Sequence, residues 1–143
     1  MLVKQISVFV ENKQGRLVDI IAELSDLEIN IGAVSIADTT DFGILRMIVN
    51  QPDEAYTGLK AAGYTVSMTE VIAVEMEDTP GGLYDVLKVL QACQVSIEYL
   101  YSFMRRTDAK AIIICRVEDP QAAIDALLDE GKRVLTQDEV YSM

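Results

Sequence analysis

Residues 3–11 (VKQISVFVE) alternate in polarity and are rich in β-branched side chains, the pattern of a half-buried strand. Leu17, Ile20, Ile21 and Leu24 then recur at i, i+3, i+4 and i+7, one apolar stripe on a predicted helix. Residues 29–37 and 43–50 are again strand-like. The turn-rich Asp38-Thr39-Thr40-Asp41 between them predicts a hairpin. Pro52 opens a second helix, where its missing N–H would be unbonded anyway, and Gly63 ends it as a left-handed cap. A short strand follows near Tyr64–Met68.

The chain then repeats itself. Ile72–Leu83 copies Ile6–Leu17, so that Gly15 and Gly81, Leu17 and Leu83, Asp19 and Asp85, Leu24 and Leu90, and Ile31 and Ile97 all stand 66 positions apart (81 − 15). Beyond a two-residue insertion near Thr107 the offset is 68 (112 − 44), linking Ile44 with Ile112, Val49 with Val117, Pro52 with Pro120, Leu59 with Leu127 and Gly63 with Gly131. Leu83, Val86, Leu87 and Leu90 repeat the helical stripe, residues 95–104 and 110–117 repeat the hairpin around Arg105–Asp108, and Arg133–Leu135 repeats the last strand. Thr136 and Glu139 have the spacing of a capping box for one final helical turn.

Each half therefore reads βαββαβ, the ferredoxin-like order: an antiparallel sheet with both helices on one face. The fold class is α+β, two such units in tandem, residues 1–69 and 70–143, joined without a Gly/Ser/Pro linker. A unit of this size alone is marginal, so the halves are expected to pack on each other or on another chain. In residues 44–49 and 112–117 both faces are mostly apolar, yet helices on one side cover only one face. The helix-free faces are expected to be covered by another sheet or subunit.

Composition narrows the function. The 143 residues carry a net charge of −11, and such a surface repels a phosphate backbone, which disfavours nucleic acid. No apolar run approaches the ~18 residues of a membrane span, and Lys4 and Gln5 interrupt the start too early for a signal peptide. There is no histidine, which removes the commonest general base, the commonest metal ligand and any Ser-His or Cys-His pair. Cys93 and Cys115 form no metal or redox motif; they align with Leu27 and Met47, which suits buried packing in a cytoplasmic protein. Tyr99, Tyr101 and Phe103 alternate along one strand face and suit core or interface packing. Asp125, Asp129 and Glu130 read as a solvated helix face.

The strand-to-helix junctions Glu11–Leu17 and Glu77–Leu83 are the candidate site. A helix starting after a glycine offers unbonded N–H groups and a positive dipole end to a carboxylate or phosphate, and glycine lets a ligand approach the backbone. Asn12 or Asp78 fits a hydrogen bond to an ammonium group, and equally fits a plain turn former; Thr79-Pro80 fits an ordinary helix start.

The pattern of strand, Asn/Asp-x-x-Gly-x-Leu, amphipathic helix, then Ile29-Asn30-Ile31 or Val95-Ser96-Ile97, resembles the ACT domain, twice over and across nearly the whole chain. Asp78-Thr79-Pro80-Gly81-Gly82-Leu83 is a particularly close fit. The resemblance implies a regulatory module that binds a small molecule, usually an amino acid, between paired units. The turn of one unit and the second strand of its neighbour would line the pocket. Carried onto this chain, it nominates Asn12, Gln14, Gly15, Arg16 and Leu17 with Asn30, Ile31 and Gly32, and Asp78, Thr79, Pro80, Gly81, Gly82 and Leu83 with Ser96, Ile97 and Glu98. The expected protein is cytoplasmic, non-catalytic, without cofactor or metal, and a homodimer or higher oligomer with an amino acid ligand. The alternative is a regulatory subunit docking on a separate amino-acid biosynthetic enzyme, like the small subunit of acetolactate synthase. Gln14 and Arg16 give the first turn more polar contacts than Pro80 and Gly82 give the second, which slightly favours repeat one as the binder.

Overall fold

The period-two stretches form strands and the helical stripes form helices, in the order read above. The computed structural model describes residues 1–38, 41–104 and 109–143. Unit 1 holds β1 (Val3–Glu11), α1 (Arg16–Asp26), β2 (Ile31–Asp38), β3 (Phe42–Val49) and α2 (Pro52–Ala61). β4 (Val66–Glu77) follows, then α3 (Gly82–Ala92), β5 (Ile97–Ser102), β6 (Lys110–Val117), α4 (Pro120–Asp129), β7 (Arg133–Val134) and α5 (Gln137–Tyr141). Thr39 and Thr40 of the first predicted hairpin turn, and all four residues of the second, lie outside the described residues.

β4 differs from the sequence reading. The last strand of unit 1 and the first strand of unit 2 are one strand of 12 residues, and the expected boundary at residues 69–70 falls inside it. Its first half pairs antiparallel with β1 (Val66 opposite Val8, Val71 opposite Val3) and its second half with β6 (Ile72 opposite Cys115, Glu77 opposite Lys110). Side chains alternate without a break, so even-numbered residues such as Ile72 and Val74 face helices and odd-numbered ones such as Val71 and Ala73 face away. All helices of the two βαββα units thus lie outside one shared antiparallel sheet, ordered β2-β3-β1-β4-β6-β5, with β7 on β4.

The helix-facing cores are copies of each other. Ile6, Val8, Ile20, Leu24, Leu45, Met47, Val49, Ala55 and Leu59 in unit 1 align with Ile72, Val74, Val86, Leu90, Ile113, Cys115, Val117, Ala123 and Leu127 in unit 2, and every one of these is buried. Each unit meets its own helices through the same set of side chains.

The helix-free faces pack on each other within the chain. The sheet curls until its edge strands touch: Ala33 bridges Phe103, and the Met104 amide donates to the Gly32 carbonyl at 2.8 Å. Inside lie Val3, Ile48, Val71, Ile112, Ile114, Tyr101 and Phe103. Here the repeats are complements rather than copies. Unit 2 supplies Tyr99, Tyr101 and Phe103 where unit 1 has Ala33, Ser35 and Ala37 at the aligned positions. Large side chains from one edge fill the space that small ones leave at the other. Gly32 is part of that fit, because a Cβ there would stand 2.4 Å from the Phe103 ring. The cover expected from another sheet or subunit is therefore the other half of the same curled sheet.

Two features finish the inner layer. Gln5 is fully buried, with Tyr101 Oη donating to its Oε1 (2.7 Å) and its Nε2 donating to Tyr99 Oη (2.8 Å) and Ser7 Oγ (3.3 Å). Each of its polar atoms is satisfied, as burial demands. α5 closes one end with Val140, and its start carries the capping box read from Thr136 and Glu139.

Phe103→Ala should cost about 3–5 kcal/mol by urea denaturation, the range for truncating a buried aromatic. The same measurement on Ala37→Ser, at the aligned exposed position, should stay within about 0.5 kcal/mol.

Candidate functional site

The two strand-to-helix turns are built alike. Asn12 N donates to Asp41 O (3.1 Å) and Asp78 N to Ala109 O (3.0 Å), tying each turn to the neighbouring hairpin. Arg16 N reaches Lys13 O (3.3 Å) and Gly82 N reaches Thr79 O (3.0 Å). Gly15 (φ 87°) and Gly81 (φ 89°) are the N-caps of α1 and α3, in the left-handed region that admits glycine without strain. No side chain caps either helix, whereas Asp119 caps α4 and Thr136 caps α5. The amides of Leu17 and Val18, and of Leu83 and Tyr84, meet no acceptor among the described residues.

Around these starts the two copies diverge. In unit 1, Glu11 receives Lys13 Nζ at 3.1 Å and Arg16 at 3.9 Å, and the Lys13 hydrogen bond holds its carboxyl below the usual carboxylate range. Unit 2 has no cation in its turn; Glu77 pairs instead with Lys110. Gly82 has a packing role, since a Cβ there would sit 2.0 Å from the Glu77 carbonyl oxygen. The matching Arg16 carries a full side chain into solvent.

A cleft opens beside each turn, lined at aligned positions. In unit 1 it is about 390 Å³, bounded by Phe9, Glu11, Arg16, Ile20, Phe42 and Tyr64. Its copy in unit 2 is about 170 Å³, bounded by Glu75, Glu77, Gly82, Val86, Lys110 and Lys132. Small-molecule sites usually occupy ~300–1,000 Å³, so only the first has room. The Phe9 and Phe42 rings stand 5.2 Å apart at its rim. Sequence reasoning missed Phe9, Phe42 and Tyr64. They come from three separate segments, and each taken singly reads as a strand residue.

The nominated residues divide into those at the turns and those on the second strands. Asn12, Gln14, Gly15, Arg16 and Leu17 are exposed around the first turn; Asp78, Thr79, Pro80 and Gly81 are exposed around the second, with Gly82 buried and Leu83 half-buried. The second-strand residues are already engaged. Asn30 N donates to Asn50 Oδ1 and its carbonyl accepts from Asn50 N, the Ser96 carbonyl accepts from Glu118 N, and Glu98 pairs with Arg116 at 3.1 Å. Ile31 and Ile97 pack against the helix-facing cores, and Gly32 receives Phe103.

A turn and its own unit's second strand do not meet. Glu11 lies opposite Phe42 and Ile31 opposite Val49, seven residues along β3, or about 23 Å at ~3.3 Å per residue. Within unit 2, Asp78 N donates to the Ala109 carbonyl beside β6, and between units the Gly32 carbonyl accepts from Met104 N beside β5. No hydrogen bond or bridge between described residues joins the first turn to Ser96–Glu98.

The sequence matches the family of the ACT domain pair over residues 1–143. The chain belongs to that family. Among solved structures, protein BT0572 of Bacteroides thetaiotaomicron is similar at 37% identity and a TM-score of 0.94, covering 100% of this chain and 98% of that one. The ligand-free regulatory subunit of aspartate kinase from Thermus thermophilus shares the fold at 14% identity (TM-score 0.66, 90% of this chain and 93% of that one). So does the aspartate kinase of Synechocystis, at 17% identity (TM-score 0.59, 89% of this chain and 25% of that one). A search of curated proteins finds no match to this sequence. No described helix of this ACT pair is long and apolar enough to cross a membrane.

Gly82→Ala should lose about 1–3 kcal/mol through overpacking against backbone, while Arg16→Ala at the aligned position should change stability by no more than about 0.5 kcal/mol in thermal unfolding. Burial pushes the Cys115 thiol up to about 12. A raised value keeps the neutral thiol, so at pH 8.5 a thiol reagent should label Cys115 only after unfolding, with half-buried Cys93 labelled first.

Proposed function

We propose that this ACT pair is a non-catalytic regulator that binds an amino acid at the first strand-to-helix turn. The supporting observation is the coincidence, in unit 1 alone, of an uncapped helix start with an adjoining cleft of about 390 Å³. A ligand carboxylate would take the amides of Leu17 and Val18, strengthened by the positive end of α1. Glu11, held ionised by Lys13, would face the ammonium group. The apolar part of the ligand would lie toward Phe9, Phe42 and Tyr64. The second turn, with its smaller cleft and its glycine committed to packing, serves as scaffold in this reading.

The nominated Ser96, Ile97 and Glu98 would join such a site from a second copy of the chain. Val34 and Ile36, on the helix side of β2, are exposed (39% and 51%) and offer an apolar surface for it. The same surface favours a second reading, docking on a separate enzyme; the similar chain from Thermus thermophilus is itself the regulatory subunit of an aspartate kinase. A kinase that co-purifies with this chain, and whose inhibition requires it, would select the second reading.

A thermal-shift screen of the twenty amino acids should give one stabilising hit. At a hundredfold excess over Kd the gain is about 2.7 kcal/mol. Gln14→Ala and Arg16→Ala should weaken that hit and Thr79→Ala should not. A screen with no hit, or a hit lost only in unit 2 variants, refutes the assignment to unit 1.

A further inference from the structure

The helix-free face of unit 1 carries a polar row that its copy lacks. Ser35 lies opposite Arg46, Arg46 opposite Ser7, and Ser7 opposite Ser67, four side chains in register across β2, β3, β1 and β4. Directly paired residues hold their Cβ atoms ~4.5–5.5 Å apart, so neighbours in such a row can act together on one small group. The aligned residues in unit 2 are Tyr101, Ile114, Ala73 and Leu135, and all four are buried in the inner core. The fold at this position is therefore satisfied by an apolar row. The polar one answers some other requirement.

The row lies at the open end of the inner layer. A cleft of about 380 Å³ there is bounded by Ser7, Arg46, Ser67, Thr69, Tyr99 and Arg116. Two arginines face it in a chain whose net charge is −11. Arg116 is spoken for: its Nε donates to Glu98 at 3.1 Å and its Nη1 to the Glu70 carbonyl at 2.8 Å. Arg46 is different. Its guanidinium stacks on the Tyr99 ring at 3.7 Å and makes no hydrogen bond or ion pair among the described residues. Stacking uses the face of the guanidinium and leaves its in-plane N–H donors for a planar or tetrahedral oxyanion. Ser7 is oriented too. Its Oγ accepts from Gln5, so its own proton is left to donate elsewhere.

We propose that this cleft is an oxyanion site, in which Arg46, with Ser7 and Ser67, holds the carboxylate or phosphate group of a small metabolite. It is separate from the strand-to-helix turns and stands whether or not they bind an amino acid. The Tyr99 ring and the buried Gln5 fix the pieces: Gln5 bonds both Tyr99 and Ser7, so one side chain positions the platform under the guanidinium and the hydroxyl beside it.

The test is calorimetric titration of the full chain with inorganic phosphate and, separately, with malonate, followed in parallel by the Arg46 Nε–H resonance. One probe should saturate at one equivalent per chain and shift that resonance; which one does so assigns the ligand as a phosphate or a carboxylate. Arg46→Gln should abolish binding, and Ser67→Ala, at an exposed position, should weaken it about tenfold, the loss expected for one hydrogen bond to a charged group. Gln14→Ala should leave it unchanged. The proposal is overturned if neither probe saturates, or if binding survives in Arg46→Gln. Should Arg46→Gln fail to fold, an unmoved Arg46 resonance with unaltered affinity in Ser67→Ala overturns it equally.

Discussion

The structure depends on the closure of its sheet. Six strands in line leave two edges and one apolar face without helices, a combination that invites pairing with other chains. Among the described residues the edges meet where Phe103 lies over Gly32 and bridges Ala33. Everything inside follows from that contact. Ile48, Val71, Ile112 and Ile114 are removed from water only because the curl brings them together. The curl in turn requires β4 to run unbroken between the units, since a flexible joint there would let them part.

The two ends of the closed inner layer are unlike. One end is filled by Phe103, Tyr101, Leu135 and Val140. The other holds Ser7, Arg46 and Ser67 around open space. Duplication would have produced like ends, and the helix-facing cores still show it in their matched residues. On the inner face the asymmetry is steric, a bulky residue of one unit meeting small ones of the other: Phe103 lies over Gly32 and bridges Ala33. A pair of units freed from copying each other can specialise, one as scaffold and one as receptor.

Much of this was legible in the residues. The stripe Leu17-Ile20-Ile21-Leu24 and its copy marked two helices, because apolar residues spaced at 3.6 per turn in a chain of mixed polarity make one buried helix face. The alternation in β3 and β6 showed two apolar faces, and hence the need for a cover. What hid was the identity of the cover. Its decisive pair, Gly32 and Phe103, is 71 residues apart (103 − 32), and nothing local in either segment names the other. β4 hid for a related reason. Ser67, Thr69 and Glu70 look like a boundary, but the odd-numbered ones face the open polar end, where hydroxyl groups are at home within a strand. At the turns, Gly15 and Gly81 were readable because the left-handed backbone leaves few alternatives. The rim of the cleft was not, because Phe9, Phe42 and Tyr64 converge only after folding.

The size of the effects limits what a ligand could do to this fold. A bound effector shifts an equilibrium only by its difference in affinity for the two states, typically ~1–3 kcal/mol. Truncating one buried aromatic at the closure costs about as much or more, ~3–5 kcal/mol. An effector at a turn therefore lacks the strength to open the sheet, and its action must fall on something weaker. The hairpins are the elements nearest the turns, which meet them through backbone hydrogen bonds from Asn12 N to Asp41 O and from Asp78 N to Ala109 O. The exposed β2 face carrying Val34 and Ile36 belongs to the first of these hairpins. A ligand that orders the first turn would thus bear on that hairpin, and through it on any partner that covered β2, while the closed core stays as it is.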